Sequence, residues 1–387
     1  MLIALSGGID SAVSAYLLIK QGYEVEAAFM KNWSQTAGLL KNECPWLQDR
    51  QDALRVAAFL RIPLHTLDFE KEYQKKVMKY FFDEYKKGRT PNPDVMCNKE
   101  IKFKLLYNWA MKNGFDYLAT GHYARIGKSE NRKIGRRSLP IYRPLKQPIN
   151  GQTTLLRSVD EFKDQTYFIY NIKPGQLPHL LFPIGGMKKT AVRVLARKLK
   201  LPNAEKKESM GLCFVGKIRL KDFLEQKLKP KPGPIVLFPS ENLKPSPRPS
   251  PRGRGGSVVL GQHQGLHNYT IGQRQGIRVG MGGPYFVVKK DLKKNILYVT
   301  NNPDDKNLLT KEVQIHSINE LISLSAYQHI SLLGRFRHQG ELVPLKIEKI
   351  SRDNYRILFN RPQKAVASGQ SLVLYKGKEC VGGGIIA

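Results

Sequence analysis

Residues 1–22 read MLIALSGGIDSAVSAYLLIKQG, and the fold is decided in this stretch. Leu2, Ile3, Ala4 and Leu5 make a short apolar strand, and Ser6-Gly7-Gly8 makes a turn. From Ile9 to Gln21 the apolar positions Val13, Ala15, Leu17 and Leu18 recur with helical spacing until Gly22 ends them. Strand, glycine turn and helix in that order make an anion cradle. The two glycines let backbone N–H groups approach a phosphate, Ser6 and Ser11 add hydroxyls, and the positive end of the helix faces the charge. No G-K-[ST] follows, so this is not a Walker loop. Asp10 is an awkward neighbour for phosphate unless Mg²⁺ lies between them, which assigns it to metal-assisted binding. Taken alone, the stretch fits an ordinary serine-capped Gly-Gly turn equally well.

Outward from this start the pattern continues as α/β. A strand is expected from Tyr23 to Met30, a helix from Gln48 to Leu60 and a strand from Leu64 to Leu67. Beyond them come an amphipathic helix from Lys71 to Lys87, a helix after Cys97 in which Ile101, Leu105 and Trp109 share a face, and a strand from Asp116 to Ala119. Alternation of this kind predicts a parallel sheet with helices on both faces, where ligands collect beyond the carboxyl ends of the strands. A helix from Lys188 to Leu199 closes this domain, placed at 1–210. Residues 211–283 are read as a small central domain containing a low-complexity, proline-rich insertion at 238–256. From 284 to 387, short runs such as YFVV, ILYV, YRILF and SLVLY alternate with Gly, Asn and Asp turns, which predicts a C-terminal β-barrel.

The chain has 387 residues with 64 basic and 32 acidic side chains, a net charge of +32. Residues 1–120 carry 17 basic and 14 acidic, so 47 and 18 fall after them and the excess is +29 there. Such a field attracts a polyanion, most commonly nucleic acid, with an anionic membrane surface as the rival. No apolar stretch reaches the roughly 20 residues needed to span a bilayer, and no basic leader precedes Asp10, so a cytoplasmic protein is expected. Cys44, Cys97, Cys213 and Cys380 stand far apart with no C-x-x-C pair, so no zinc site or redox dithiol is written locally.

Two of these cysteines have unusual company. Residues 90–103 read TPNPDVMCNKEIKF. Pro91 and Pro93 hold the chain extended and Asn98 is read as the N-cap of the helix beyond, which puts Cys97 just ahead of a helix N-terminus. The helix field, Lys99 and Lys102 favour its thiolate, and Asp94 stands three residues before it as an acid/base candidate. Cys213, in KKESMGLCFVG, lies between Gly211 and Gly216 and follows Lys206 and Lys207, a setting for a loop that swings a sulfur inward. For each of them a buried structural thiol is the competing account, and Cys44 and Cys380 are read as structural.

The phosphate loop resembles that of the N-type ATP pyrophosphatases, which cleave ATP between the α and β phosphates to adenylate a carbonyl oxygen. Together, SGGIDS at 6–11, FMKNW at 29–33, GRTPNPDVMCNKEIKF at 88–103, ATGHYAR at 119–125, KDQTYF at 163–168, GLCFVG at 211–216 and GLHNYTIGQRQG at 265–276 resemble the tRNA-specific 2-thiouridylases. The resemblance implies a Rossmann-like, adenine nucleotide alpha-hydrolase-like first domain. It implies ATP contacts at Ala4, Leu5, Ser6, Gly7, Gly8, Ile9, Asp10, Ser11, Met30 and Gly121, with Mg²⁺, and target-base contacts at Asn92, Pro93 and Asp94. Cys97 matches the nucleophile, Cys213 the persulfide carrier, and a Cys97–Cys213 disulfide would close each cycle. Lys163, Asp164 and Gln165, with Arg335 and Phe336, match tRNA-interacting stretches. The implied partners are a tRNA, through the wobble uridine of its anticodon loop, and a persulfide sulfur donor. The chain departs from the family at KKESMGLC, where Met210 replaces a small residue, and in its 238–256 insertion.

A small-molecule ligase using ATP to activate a carboxylate or amide explains the loop but neither cysteine nor the basic excess. A non-catalytic RNA-binding module predicts a damaged loop, yet Ser6, Gly7, Gly8, Asp10 and Ser11 are all present. A membrane-surface role lacks the basic amphipathic helix it needs.

Overall fold

A computed structural model describes residues 1–34, 45–128, 153–207, 220–225, 227–239, 258–277, 279, 283–328 and 330–387. The first element is β1 (Leu2–Ala4), followed by the loop and α1 (Ile9–Lys20). Then come β2 (Glu26–Lys31), α2 (Pro45–Leu60), β3 (Leu64–Asp68), continuous helices over 70–86 and 93–112, and β4 (Leu118–Thr120). A hairpin of β5 (Ala124–Lys128) and β6 (Thr153–Arg157) and the short β7 (Leu180–Leu181) complete this part.

The strands lie in the order β3-β2-β1-β4-β7, all parallel, with Ile3 opposite both Ala27 and Ala119. Leu2, Ala4, Ala28 and Met30 enter one core and Ile3, Leu5, Ala27 and Phe29 the other. A sheet buried on both faces has no polar side, which is why LIAL is apolar without alternation. The chain winds one way from β1 to β3 and returns to β4 on the other side, so the order reverses between β1 and β4. In folds of this kind ligands collect at the carboxyl ends of the two strands that flank such a reversal.

A middle sheet holds β8 (Gly233–Leu237), β9 (Val259–His263), β10 (Phe286–Asp291) and β11 (Ile296–Thr300) in the order β10-β11-β8-β9. The sequence places YFVV and ILYV in the C-terminal barrel. The structure corrects this: β11 pairs with β8, Tyr298 opposite Val236, so the boundary at 283/284 falls inside the middle unit. Strand content alone does not say with which sheet a strand pairs.

The barrel consists of β12 (Leu309–Glu320), β13 (Leu332–Arg335), β14 (Val343–Ser351), β15 (Asn354–Lys364), β16 (Ser371–Lys376) and β17 (Glu379–Ile386). The order β12-β15-β14-β13-β16-β17 returns to β12 through a β12–β17 pairing, closing six strands into a ring. Strand β17 also pairs with β6, Cys380 opposite Leu155, so the hairpin of the first part is welded to the barrel. Among the described residues no helix is long and apolar enough to cross a membrane.

Candidate active site

The loop after β1 is the cradle its sequence predicts. Gly7 has φ +74, and a Cβ there would stand 2.3 Å from the Asp49 carbonyl oxygen, so only glycine fits. The Ser11 hydroxyl accepts from the Ser6 N–H (3.2 Å) and donates to the Gly8 carbonyl (3.0 Å), which ties the loop into a ring. No side chain caps α1, leaving its N-terminus open to an anion. Gly121, just past β4, packs against this turn so closely that a Cβ would meet the Ser11 nitrogen at 2.7 Å. The loop and Gly121 thus face each other across the switch point. Ala4, Leu5, Ile9 and Met30 are buried behind the loop, and Ser6 is exposed.

Asp10 has partners that the sequence does not reveal. Its two carboxylate oxygens accept from the Lys189 ammonium at 2.8 Å each, and Oδ1 also accepts from the Tyr123 hydroxyl at 2.9 Å. Lys189 opens the helix Lys189–Lys198, and its ammonium stands 5.7 Å from the Tyr123 ring centroid. The Asn203 amide donates to the Gly7 carbonyl (2.9 Å). An acid inside a phosphate loop calls for a counter-charge, and that was the signal available. Its source, 179 positions away, is set by the tertiary fold alone.

The second half of the site begins earlier than expected. Asn92, extended ahead of proline (φ −111, ψ 98), is the N-cap: its side-chain oxygen accepts from the Asp94 and Val95 N–H groups at 3.1 and 3.3 Å. Pro93 takes the first helical position, where a missing N–H costs nothing. Asn98 is therefore not a cap. It is helical (φ −60, ψ −48) and its amide donates to the Phe168 carbonyl at 3.2 Å. Cys97 accordingly sits inside the helix and is fully buried, packed in the same core as Ala4, Met30 and Val95. Asp94 is half-buried.

From Asn98 to Leu106 the helix widens to the π form. The buried residues then become Ile101, Phe103, Leu106 and Ala110, whereas Leu105 and Trp109 are only half-buried. Wide turns shift the face that a 3.6-residue period predicts, and they recur at functional positions. Burial holds the neighbouring His122 imidazole well below its ordinary pKa, so it is neutral, and its Nδ1 lies 2.7 Å from the Thr120 hydroxyl.

The residues matched to tRNA contact are mostly interior. Asp164 has no exposed side-chain surface and accepts from Arg335 at 3.0 Å and Arg157 at 3.4 Å. Arg335 and Phe336 are also buried. Here charges of opposite sign on two packed parts of the molecule pair with each other. Lys163 and Gln165 are half-buried. Cys213 and Cys44 lie outside the described residues. Cys380 is buried in the barrel wall, and burial pushes its thiol pKa far up, which fits a structural thiol.

Residues 1–217, 221–301 and 307–386 match, in order, families described as tRNA methyl transferase HUP domain, tRNA methyl transferase PRC-barrel domain and Aminomethyltransferase beta-barrel domain. The tRNA-specific 2-thiouridylase MnmA of Lysinibacillus sphaericus (strain C3-41) is 40% identical over 387 residues, 100% of this chain and 93% of that protein. The chain belongs to the tRNA-specific 2-thiouridylase family. A second thiouridylase, MnmA of Bacillus subtilis (strain 168), is 39% identical over 388 residues, 100% of this chain and 94% of its own. The middle match, 221–301, spans all four strands of the β8–β11 sheet, in agreement with the corrected boundary. Thiouridylase membership also accounts for both the cradle and the cysteine-bearing helix in one chain, which the methyl transferase wording of the domain descriptions does not.

Proposed function

We propose that the protein is a tRNA-uridine 2-sulfurtransferase that uses ATP to activate the C2 oxygen of the wobble uridine and replaces it with sulfur. The observation that carries this reading is the placement of Cys97. The residue is fully buried in the same hydrophobic cluster as Ala4 and Met30, two of the residues matched to ATP contact.

In this reading the Ser6–Ser11 loop holds the ATP phosphates, and Lys189 neutralises Asp10 so that the loop does not repel them. The uridine O2 attacks the α-phosphate and pyrophosphate leaves. A persulfide on Cys213 attacks C2, and the C2–O bond breaks with release of AMP. The Cys97 thiolate then attacks the Cys213 sulfur. The S–S bond to the transferred sulfur breaks, its electrons complete the thiocarbonyl, and a Cys97–Cys213 disulfide remains for an external reductant. Asp94 exchanges the protons. The stretch that holds Cys213 runs between two described segments. On one side Lys206 is anchored to Asp49 and Asp52 at 2.8 and 2.6 Å, beside Gly7. On the other, Phe223 packs against Trp33 and Phe81.

Both Asp10 oxygens are taken up by Lys189 and Tyr123, and the described residues contain no trio of ligating side chains, so among them no donor set fits a Mg²⁺ held by protein alone. A persulfide donor supplies Cys213. Excess positive charge after residue 120, spread over the rest of the first domain as well as the middle and C-terminal parts, draws tRNA, so affinity falls steeply with salt. An anticodon-loop base is unpaired, which lowers the cost of splaying it into the site.

The test is mass spectrometry of tRNA nucleosides from cells lacking the gene, complemented by wild type, Cys97→Ser or Cys213→Ser. Loss of 2-thiouridine, restored by wild type alone, is expected. Persistence of 2-thiouridine without the gene contradicts the reading, and restoration by either serine variant removes that cysteine from the chemistry.

A further inference from the structure

Thr90 stands two residues ahead of the cap that starts the cysteine helix, and the other two parts of the molecule hold it. Its N–H donates to the Ser368 carbonyl (2.9 Å) and its carbonyl accepts from the Gln370 side-chain amide (2.7 Å), both just ahead of β16. Its hydroxyl meets the Thr270 hydroxyl of the middle unit at 3.0 Å, across 180 positions of sequence. Behind it Arg89 is locked, its N–H donating to the Glu84 carbonyl (2.9 Å) and its guanidinium to the Glu84 carboxylate (2.7 Å).

Thr270 is itself fixed. Its N–H donates to the Gln273 side-chain oxygen (2.9 Å) and its carbonyl accepts from the Gln273 N–H (3.0 Å). The turn is stitched to β10, the Gly272 N–H donating to the Val287 carbonyl (2.7 Å) and the Val287 N–H to the Gln273 carbonyl (3.0 Å). Gly272 has φ +79, and a Cβ there would lie 2.1 Å from the Ala365 Cβ just past β15, so the turn is wedged against the barrel. A hydroxyl carried on so constrained a turn has one place to be, and that place is beside Thr90.

From Thr90 the chain reaches the site with little freedom. Pro91 and Pro93 fix their own φ, and Asn92 between them caps the helix through the Asp94 and Val95 N–H groups. A shift of Thr90 is therefore passed on to Asn92 and Asp94 and not absorbed. We infer that Thr270 is a positioning residue: through the Thr90 hydroxyl it sets where Asn92 and Asp94 stand against the target base. The inference rests on the reading of the protein as an ATP-dependent tRNA thiolase. It makes the middle unit a part of the base pocket as well as of the charged surface. Small misplacements of reacting groups lower turnover without weakening binding.

The test compares Thr270→Val, Thr270→Ser, Thr90→Val and the Thr90→Val/Thr270→Val double variant on the full chain. It reads hydrogen exchange of a peptide spanning 92–98, and 2-thiouridine formation with ATP, a persulfide donor and varied tRNA. Thr270→Val is expected to speed exchange at that peptide about fivefold and to lower kcat about tenfold, with the KM for tRNA within about twofold of wild type. Thr270→Ser keeps the hydroxyl and stays within about twofold of wild type on both readouts, and the double variant loses no more than the worse single one. Wild-type exchange at 92–98 in Thr270→Val overturns the inference. So do equal losses in the serine and valine variants, multiplicative losses in the double variant, or a loss carried by the KM for tRNA in place of kcat, the mark of direct RNA contact. Exchange that quickens throughout β8–β11 as much as at 92–98 overturns it too, since a loosened middle unit needs no link to Thr90. A wild type that forms no 2-thiouridine refutes the thiolase reading itself, whereas the exchange comparison still decides whether Thr270 holds Asn92 and Asp94.

Discussion

The Asp10 carboxylate and the Lys189 ammonium form a two-pronged ion pair, 2.8 Å to each oxygen, at the mouth of the nucleotide loop. The pair turns a negatively charged side chain in a phosphate cradle into a neutral unit that carries ammonium protons. Without Lys189 the acid would face the triphosphate unshielded.

Lys189→Met is therefore expected to weaken ATP binding by about tenfold or more, a charge-assisted bond being worth roughly 1.5–3 kcal/mol. Asp10→Asn in the Lys189→Met background should recover part of that loss, because the repulsive charge is gone as well. Calorimetric titration with a non-hydrolysable ATP analogue reads both. Additive losses in the double variant would show that the two residues act separately.

The N-cap at Asn92 gives a stability prediction. Asn92→Ala removes the acceptor for two helix N–H groups and should cost about 1 kcal/mol, whereas Asn92→Asp should cost much less. Thermal unfolding of the two variants decides it, and equal melting points for them would mean that the cap carries none of the stability.

How much of this was legible in the sequence depends on how local each determinant is. The strand-turn-helix of residues 1–22 is readable because two glycines and a helical apolar spacing are neighbours in the chain. The start of the cysteine helix is misread because Pro91 and Pro93 look like extended chain, whereas proline also favours the first helical turn. Assigning Asn98 as the cap instead of Asn92 leaves Cys97 at a helix end, whereas the true cap at Asn92 puts it inside the helix and in the core. Lys189, Tyr123 and the Arg157–Asp164–Arg335 cluster were not legible, since each depends on elements that meet only after the sheet, hairpin and barrel have packed.

Full burial of Cys97 makes its reactivity conditional. In the protein alone, iodoacetamide should modify Cys97 at least about tenfold more slowly than in the unfolded chain, because alkylation requires local opening. Adding tRNA with the ATP analogue should speed it up. Peptide mass spectrometry follows the site, and equal rates in folded and unfolded protein would contradict the placement of the thiol.

Lys290 titrates abnormally. Burial pushes its ammonium pKa down to about 8, while the unfolded chain keeps the ordinary 10.5. Between those values the unfolded state holds the extra proton, so stability rises with pH from about 8 to about 10.5 and is level on either side. Relative to Lys290→Met, which lacks this titration, the wild type should gain on the order of 3 kcal/mol at most across that window. Denaturant unfolding at pH 7.5 and 10.5 measures the difference, and a gap that does not change between them would place the ammonium in water.

The central claim is that ATP activates the C2 oxygen of a tRNA uridine, so that this oxygen must depart on AMP. Incubating the protein with ATP, a persulfide donor and a tRNA carrying ¹⁸O at C2 of its wobble uridine tests it most directly. One ¹⁸O in each AMP formed, matched by one 2-thiouridine, is the predicted result. AMP free of the label while 2-thiouridine accumulates would contradict it.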